Sequence, residues 1–112
     1  MSELVEVAIL AYRNGRYRDA IELLLQVTAI ETDNWLAKLY LAMAYEKAGR
    51  TSDAYRLYKL VSTGSPDKEL QATADKALPV VEAEMRRLFQ KDVEKTKNGT
   101  DDGDDDVAQV GT

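Results

Sequence analysis

The chain has 112 residues, of which 45% are hydrophobic, and its formal net charge is −5 at pH 7. This length corresponds to one domain with enough apolar residues for a packed core. The sequence contains no cysteine and no histidine, so disulfide and thiolate chemistry are excluded and the commonest metal ligand and general base is absent. Since nucleotide-binding and metalloprotease motifs are also missing, we expect no enzymatic activity, no metal site and no cofactor.

Negative charge is concentrated towards the C-terminal end. Residues 93–112 contain six acidic residues and two lysines, which account for −4 of the net −5. The remaining residues, 1–92, are almost neutral and lack the basic surface of a nucleic-acid-binding protein. No stretch approaches the ~20 apolar residues that cross a bilayer, and the first residues lack the basic flank of a signal peptide. A cytoplasmic protein without membrane insertion is therefore predicted.

Apolar residues at helical spacing predict a first helix over residues 3–14, which Gly15 ends in a left-handed conformation. A second helix is predicted from about Tyr17, and Asn34 stops it and can cap the next one. From about Trp35 the scheme of the first two helices begins again. The first half of the sequence thus predicts two successive helical hairpins.

A break after the second hairpin precedes one more helical stretch. Ser65 can cap this last helix and Pro66 suits its first turn. The apolar periodicity continues to about Asp92, interrupted by Pro79, which predicts a kink or a split near Ala77. The following segment, 93–112, has a dense acidic run and no aromatic residue, so a disordered acidic tail is predicted.

A short pattern occurs twice in the chain, as GRYRDA at 15–20 and as GRTSDA at 49–54, at an offset of 34 residues. The repeated positions are mostly small or apolar, as two packed helices would require. The identical pairs at this offset are Ala8/Ala42, Gly15/Gly49, Arg16/Arg50, Asp19/Asp53, Ala20/Ala54, Leu23/Leu57 and Val27/Val61.

A helix–turn–helix unit that repeats every 34 residues resembles the tetratricopeptide repeat. The second unit, 35–68, matches better, with Leu41, Ala42, Tyr45, Gly49, Ala54, Tyr58, Val61 and Pro66 at the family's positions. The first unit, 1–34, matches with Val7, Ala8, Gly15, Tyr17, Ala20, Leu24 and Val27. Leu4 and Lys38 stand where the family has tryptophan, and a third copy would place Pro79 inside its first helix.

The resemblance implies an all-α fold, a short right-handed α-solenoid over residues 1–92. The two units, 1–34 and 35–68, would be followed by a capping helix or helix pair over 69–92. It also implies a non-catalytic interaction module, an adaptor, scaffold or assembly factor that binds another protein in a concave groove. The first helix of each unit lines this groove, and the matching positions are Val5, Ile9, Tyr12, Arg13, Leu36, Leu39, Tyr40, Met43 and Lys47, with Leu70 and Thr73 from the cap.

Two interpretations of this apolar groove remain open. It can receive a partner's amphipathic helix or extended apolar segment. Alternatively, its residues are covered by the last helix, or the chain is a self-associating structural module that forms a homodimer through the groove or the last helix. Some family members clamp a terminal carboxylate with basic and amide side chains. Here the matching positions are Val5, Ile9, Leu36, Tyr40 and Ala74, which argues against that mode.

Arginines cluster around the first turn, at Arg13, Arg16 and Arg18. Arg16 and Arg50 occupy equivalent turns, so local ion pairs at a solvated turn are the first interpretation. A site for phosphate or an acidic peptide is the alternative.

Overall fold

A computed structural model of the chain describes residues 2–100, and the side chains of residues 2–91. Helices follow one another through this part of the chain, and no strand occurs in it. The helices are α1 (Glu3–Arg13), α2 (Tyr17–Ile30), α3 (Trp35–Lys47), α4 (Thr51–Gly64) and α5 (Lys68–Thr100). The predicted all-α architecture is confirmed, and the predicted bounds of the first helix and the predicted starts of the second and third agree with these to within one residue.

Within the two hairpins α1 packs on α2, α2 on α3 and α3 on α4, and α1 also contacts α3. The described part of the chain divides into two compact units, of which the first ends at Glu82 and the second begins at Ala83. The first unit holds α1 to α4 with the beginning of α5. The second unit holds the rest of α5, where Arg87 pairs with Glu84.

The two repeated glycines close identical turns. Gly15 and Gly49 have φ of +79° and +83°, a conformation that other residues adopt at a cost. In the first turn the N–H of Gly15 donates to the carbonyl of Tyr12 and that of Arg16 to Ala11. In the second turn the same pair of bonds forms 34 residues later. Both are Schellman turns, which satisfy the last carbonyl groups of a helix.

The rest of the repeated pattern acts within the same turns. Arg16 pairs with Asp19 at 2.7 Å, and Arg50 pairs with Asp53 at 2.8 Å. All four side chains keep contact with solvent, so each pair adds little stability. The ion-pair interpretation of these arginines agrees with the observed contacts.

The alanines of the pattern lie in the core. Ala20 and Ala54 are completely buried on α2 and α4, as are Ala8 and Ala42 on α1 and α3. A methyl group at these places lets the helices of each hairpin approach closely. The larger core side chains between them are Val5, Ile21, Leu24, Val27, Leu39, Leu41, Tyr45, Tyr58, Val61 and Val81.

The start of α5 differs from the predicted one. Asp67, not Ser65, caps the helix, because its Oδ1 accepts from the N–H groups of Glu69 and Leu70. Ser65 instead accepts from the N–H of Asp67 at 3.1 Å, and Pro66 precedes the helix rather than entering its first turn. The side chain of Asp67 reaches two free N–H groups at once, which explains the later start.

Helix α5 continues through Pro79 without a split. Pro79 is exposed, and so is Asp75, whose carbonyl oxygen would otherwise accept from residue 79; water can take that place. The helical backbone also passes the predicted end at 92 and reaches Thr100, since lysine and glutamate favour helix even without an apolar face. The remainder of the predicted disordered tail, 101–112, lies outside the described residues.

Replacing Gly49 by alanine should lower the free energy of unfolding by about 1–2 kcal/mol, measured by urea denaturation. A β-carbon at this position would meet nothing within 4 Å, so the loss comes from the backbone conformation alone. Gly49→Asn is the matched control and should lose clearly less, because asparagine tolerates the left-handed region. Equal losses for the two variants would contradict this explanation.

Candidate partner-binding surface

The predicted groove residues fall into two groups in the structure. Val5 and Leu39 are 0% and 4% exposed, so both belong to the core and neither can contact a partner. Neighbouring helices cover them, which the helical spacing alone does not reveal. Half-buried side chains from α1, α3 and α5 are Ile9, Tyr12, Leu36, Tyr40, Met43 and Leu70, and exposed ones are Arg13, Lys47 and Thr73.

Three tyrosines meet on the first two hairpins. The ring of Tyr12 lies edge-to-face against Tyr40, with 5.7 Å between centroids, and against Tyr17 at 5.5 Å. Such contacts stabilise aromatic pairs beyond their burial. Because Tyr12 belongs to α1 and Tyr40 to α3, they join the surfaces of these two helices. We call the surface formed by Ile9, Tyr12, Leu36, Tyr40 and Met43 the α1/α3 face.

Burial makes the phenol of Tyr12 harder to ionise. The pKa of Tyr12 is raised above its ordinary value, first by burial and then by the nearby Tyr17, Glu46 and Tyr40. A neutral phenol retains its O–H as a donor, so the α1/α3 face offers hydrogen-bonding groups among apolar ones.

A partly buried hydrogen bond joins α3 to α4 close to this face. Tyr58 on α4 donates its hydroxyl to Glu46 Oε1 on α3 at 2.7 Å. Burial and this bond to Glu46 raise the pKa of Tyr58 far above its ordinary value. The bond holds α4 against α3 close to Tyr12, which also raises the pKa of Tyr58.

Trp35 packs where α3 begins. A β-carbon on Gly64 would lie 2.8 Å from the Cη2 atom of Trp35, so the bare glycine allows the indole to rest on the end of α4. Lys38 Nζ lies 4.3 Å from the centroid of the indole ring. These contacts agree with a packing role for Trp35.

Comparison with known proteins decides the family. The sequence model described as Tetratricopeptide repeat matches residues 11–77, more than half of the chain. The chain belongs to the tetratricopeptide-repeat family. Comparisons with curated proteins and with solved structures give no match. The resemblance inferred from the repeated residues is thereby confirmed.

Tetratricopeptide repeats generally mediate protein–protein interactions and are typically not catalytic. Among the residues that the structure describes, no helix is both long and apolar enough to traverse a lipid bilayer. Membership of the family thus indicates the general role of this tetratricopeptide-repeat domain. The kind of partner depends on the surfaces of the domain itself.

The structure also contains an apolar surface that sequence reasoning missed. A groove of about 720 Å³ lies between α2 and α4, with Leu41 and Tyr45 of α3 at its base. Leu25 and Leu60 in this groove are well exposed. On each of the two helices the exposed leucine lies beside the stripe of core residues. An apolar residue outside the core stripe is the sequence signal that indicates this surface. The full lining of this α2/α4 groove is Leu25, Thr28, Leu41, Tyr45, Ser52, Asp53, Tyr55, Arg56, Leu57, Lys59, Leu60 and Thr63.

The first turn forms a smaller and more polar cavity of about 520 Å³. Arg16 and Arg18 line it together with Tyr17, Asp19, Gly15 and Ala48. Because Arg16 already pairs with Asp19, part of its positive charge is neutralised within the turn. This arrangement favours the ion-pair interpretation over an anion site.

Proposed function

We propose that this tetratricopeptide-repeat domain is a non-catalytic adaptor, scaffold or assembly factor. It binds a helix or an extended apolar segment of a partner protein in a groove built on the α1/α3 face. The contact between Tyr12 and Tyr40 at 5.7 Å carries the proposal, since it makes one aromatic surface from two helices. Tyrosine is enriched at protein interfaces because it combines apolar area with a hydroxyl.

Charged residues at the rim support a choice of partner. Arg13 and Lys47 lie exposed in the last turns of α1 and α3. Arg13 directly follows Tyr12, and Lys47 lies about one helical turn after Met43. A partner segment with apolar residues along one side and an acidic residue at one end fits this pattern. The helices that carry the face are fixed by the core, so little ordering accompanies binding.

A pair of tyrosine variants tests this proposal. Tyr40→Ala removes half of the aromatic pair on the α1/α3 face, and Tyr55→Ala makes the same change in the α2/α4 groove. Partners captured from a native extract with the wild-type domain are identified and their affinities for each variant are measured. We expect Tyr40→Ala to weaken binding by roughly tenfold or more and Tyr55→Ala to leave the affinity nearly unchanged.

Circular dichroism must show wild-type helix content for both variants before their affinities are compared. The reverse order of effects, with Tyr55→Ala the weaker binder, would place the partner in the α2/α4 groove and refute the proposal.

A further inference from the structure

Helix α1 carries an apolar stripe that the described residues of its own chain leave exposed. Leu4, Val7 and Leu10 are 43%, 50% and 57% exposed. Their spacing places them on one side of the helix, roughly opposite Ile9 and Tyr12 of the α1/α3 face. We call these three residues the α1 stripe. A contiguous exposed row of large aliphatic side chains indicates a contact surface.

The second repeat shows what such a stripe does when it is covered. Val7 and Leu10 correspond at the 34-residue offset to Leu41 and Ala44 on α3. Both of these α3 residues are buried, and α3 packs against α2 and α1 of the preceding hairpin. The α1 stripe therefore lies on the side of α1 that corresponds to the buried side of α3, which packs on the preceding hairpin.

Two differences make α1 unsuited to the close stacking of α3. Glu3 stands where α3 has the buried Ala37, and Leu10 stands where it has the buried Ala44. A hairpin stacked in the same geometry would bury the Glu3 carboxylate, which costs much free energy without a partner charge. It would also have to accommodate a leucine in the space of a methyl group. The stripe is better suited to an occupant that approaches differently and supplies a positive charge.

We propose that the occupant is a second copy of this chain, paired antiparallel through α1. Helix α1 has Glu3 and Glu6 in its first turn and Arg13 in its last. Antiparallel pairing brings the acidic end of each helix beside the basic end of the other, so the charges match twice in one symmetric interface. None of these three residues forms a salt bridge with another described residue of its own chain.

The size of the surface sets the strength of the dimer. Helix α1 has 11 residues and three exposed aliphatic side chains, so the interface falls in the small class of transient contacts. The dimer forms and dissociates with concentration. The aliphatic stripe and the tyrosines of the α1/α3 face lie on different sides of α1, so dimerisation leaves Tyr12 and Tyr40 open to the partner protein, and Arg13 alone belongs to both contacts.

Charge-reversal variants and their mixture test the pairing. Glu3→Lys/Glu6→Lys places only positive charge at both ends of α1, and Arg13→Glu places only negative charge there. Sedimentation velocity at increasing concentration should show self-association of the wild type and its loss in each variant alone. An equimolar mixture of the two variants should associate again, because each supplies the charge that the other needs.

A matched control separates this interface from the last helix. Phe89→Ser removes the well exposed aromatic residue of α5 and should leave wild-type association unchanged. A wild type that stays monomeric overturns the proposal. So does undiminished association of both charge variants, or a mixture that fails to associate while circular dichroism shows both variants folded.

Discussion

Replacing Tyr58 by alanine is expected to lower the free energy of unfolding by about 3–5 kcal/mol. Tyr58 is the largest fully buried side chain in the described part of the chain, so its removal leaves a large cavity beside α3. The same change also removes the hydrogen bond to Glu46. Because small domains are stabilised by about 5–15 kcal/mol in total, much of the margin would be lost. Urea denaturation followed by circular dichroism measures the loss.

Tyr58→Phe is the control that separates packing from hydrogen bonding. It keeps the ring and removes only the hydroxyl, so we expect a loss of about 0.5–1.5 kcal/mol. Glu46 is only partly buried, so water can replace the lost donor. If alanine costs no more than phenylalanine, the ring contributes little to the packing of α4 on α3 and the interpretation of the core is incorrect.

Ala20→Leu should destabilise the first hairpin by about 1–3 kcal/mol. Ala20 is completely buried where α2 packs on α1, and a leucine there forces the two helices apart. The measurement is again the free energy of unfolding in urea.

Ala29→Leu makes the same chemical change on the exposed side of α2. It should alter stability by no more than about 0.5 kcal/mol. Similar losses for the two substitutions would show that leucine acts through the helix itself and not through the contact between α1 and α2.

Much of the fold follows from local sequence signals. Gly15 and Gly49 predict the positive-φ turns that the structure contains, because no other residue adopts that conformation at so little cost. Asn34 predicts the start of α3, and its Oδ1 accepts from the N–H of Ala37 at 3.0 Å. These signals act within a few residues, so one sequence is enough to interpret them.

Signals that depend on neighbouring helices were harder to interpret. Val5 and Leu39 have the spacing of groove residues, yet both are buried, because burial depends on how closely helices cross. Pro79 predicted a break, but it sits at an exposed position, where a lost backbone hydrogen bond can be made to water. The α2/α4 groove arises between two helices that are not adjacent in sequence, so the extra leucine beside each core stripe indicates it only when both helices are considered together.

The second hairpin, residues 35–68, contacts the element that precedes it in the chain and the element that follows it. One side of α3 receives the first hairpin through Leu41 and Ala44, and α4 is linked to α5 by the hydrogen bond from Ser62 to Asp75. The 34-residue segment is therefore a repeat unit whose two contact surfaces already fit the neighbouring helices. Tandem copies of this unit inserted after residue 68 would lengthen the array without substitutions in the first hairpin or in α5. Proteins of this architecture can therefore differ in their number of units.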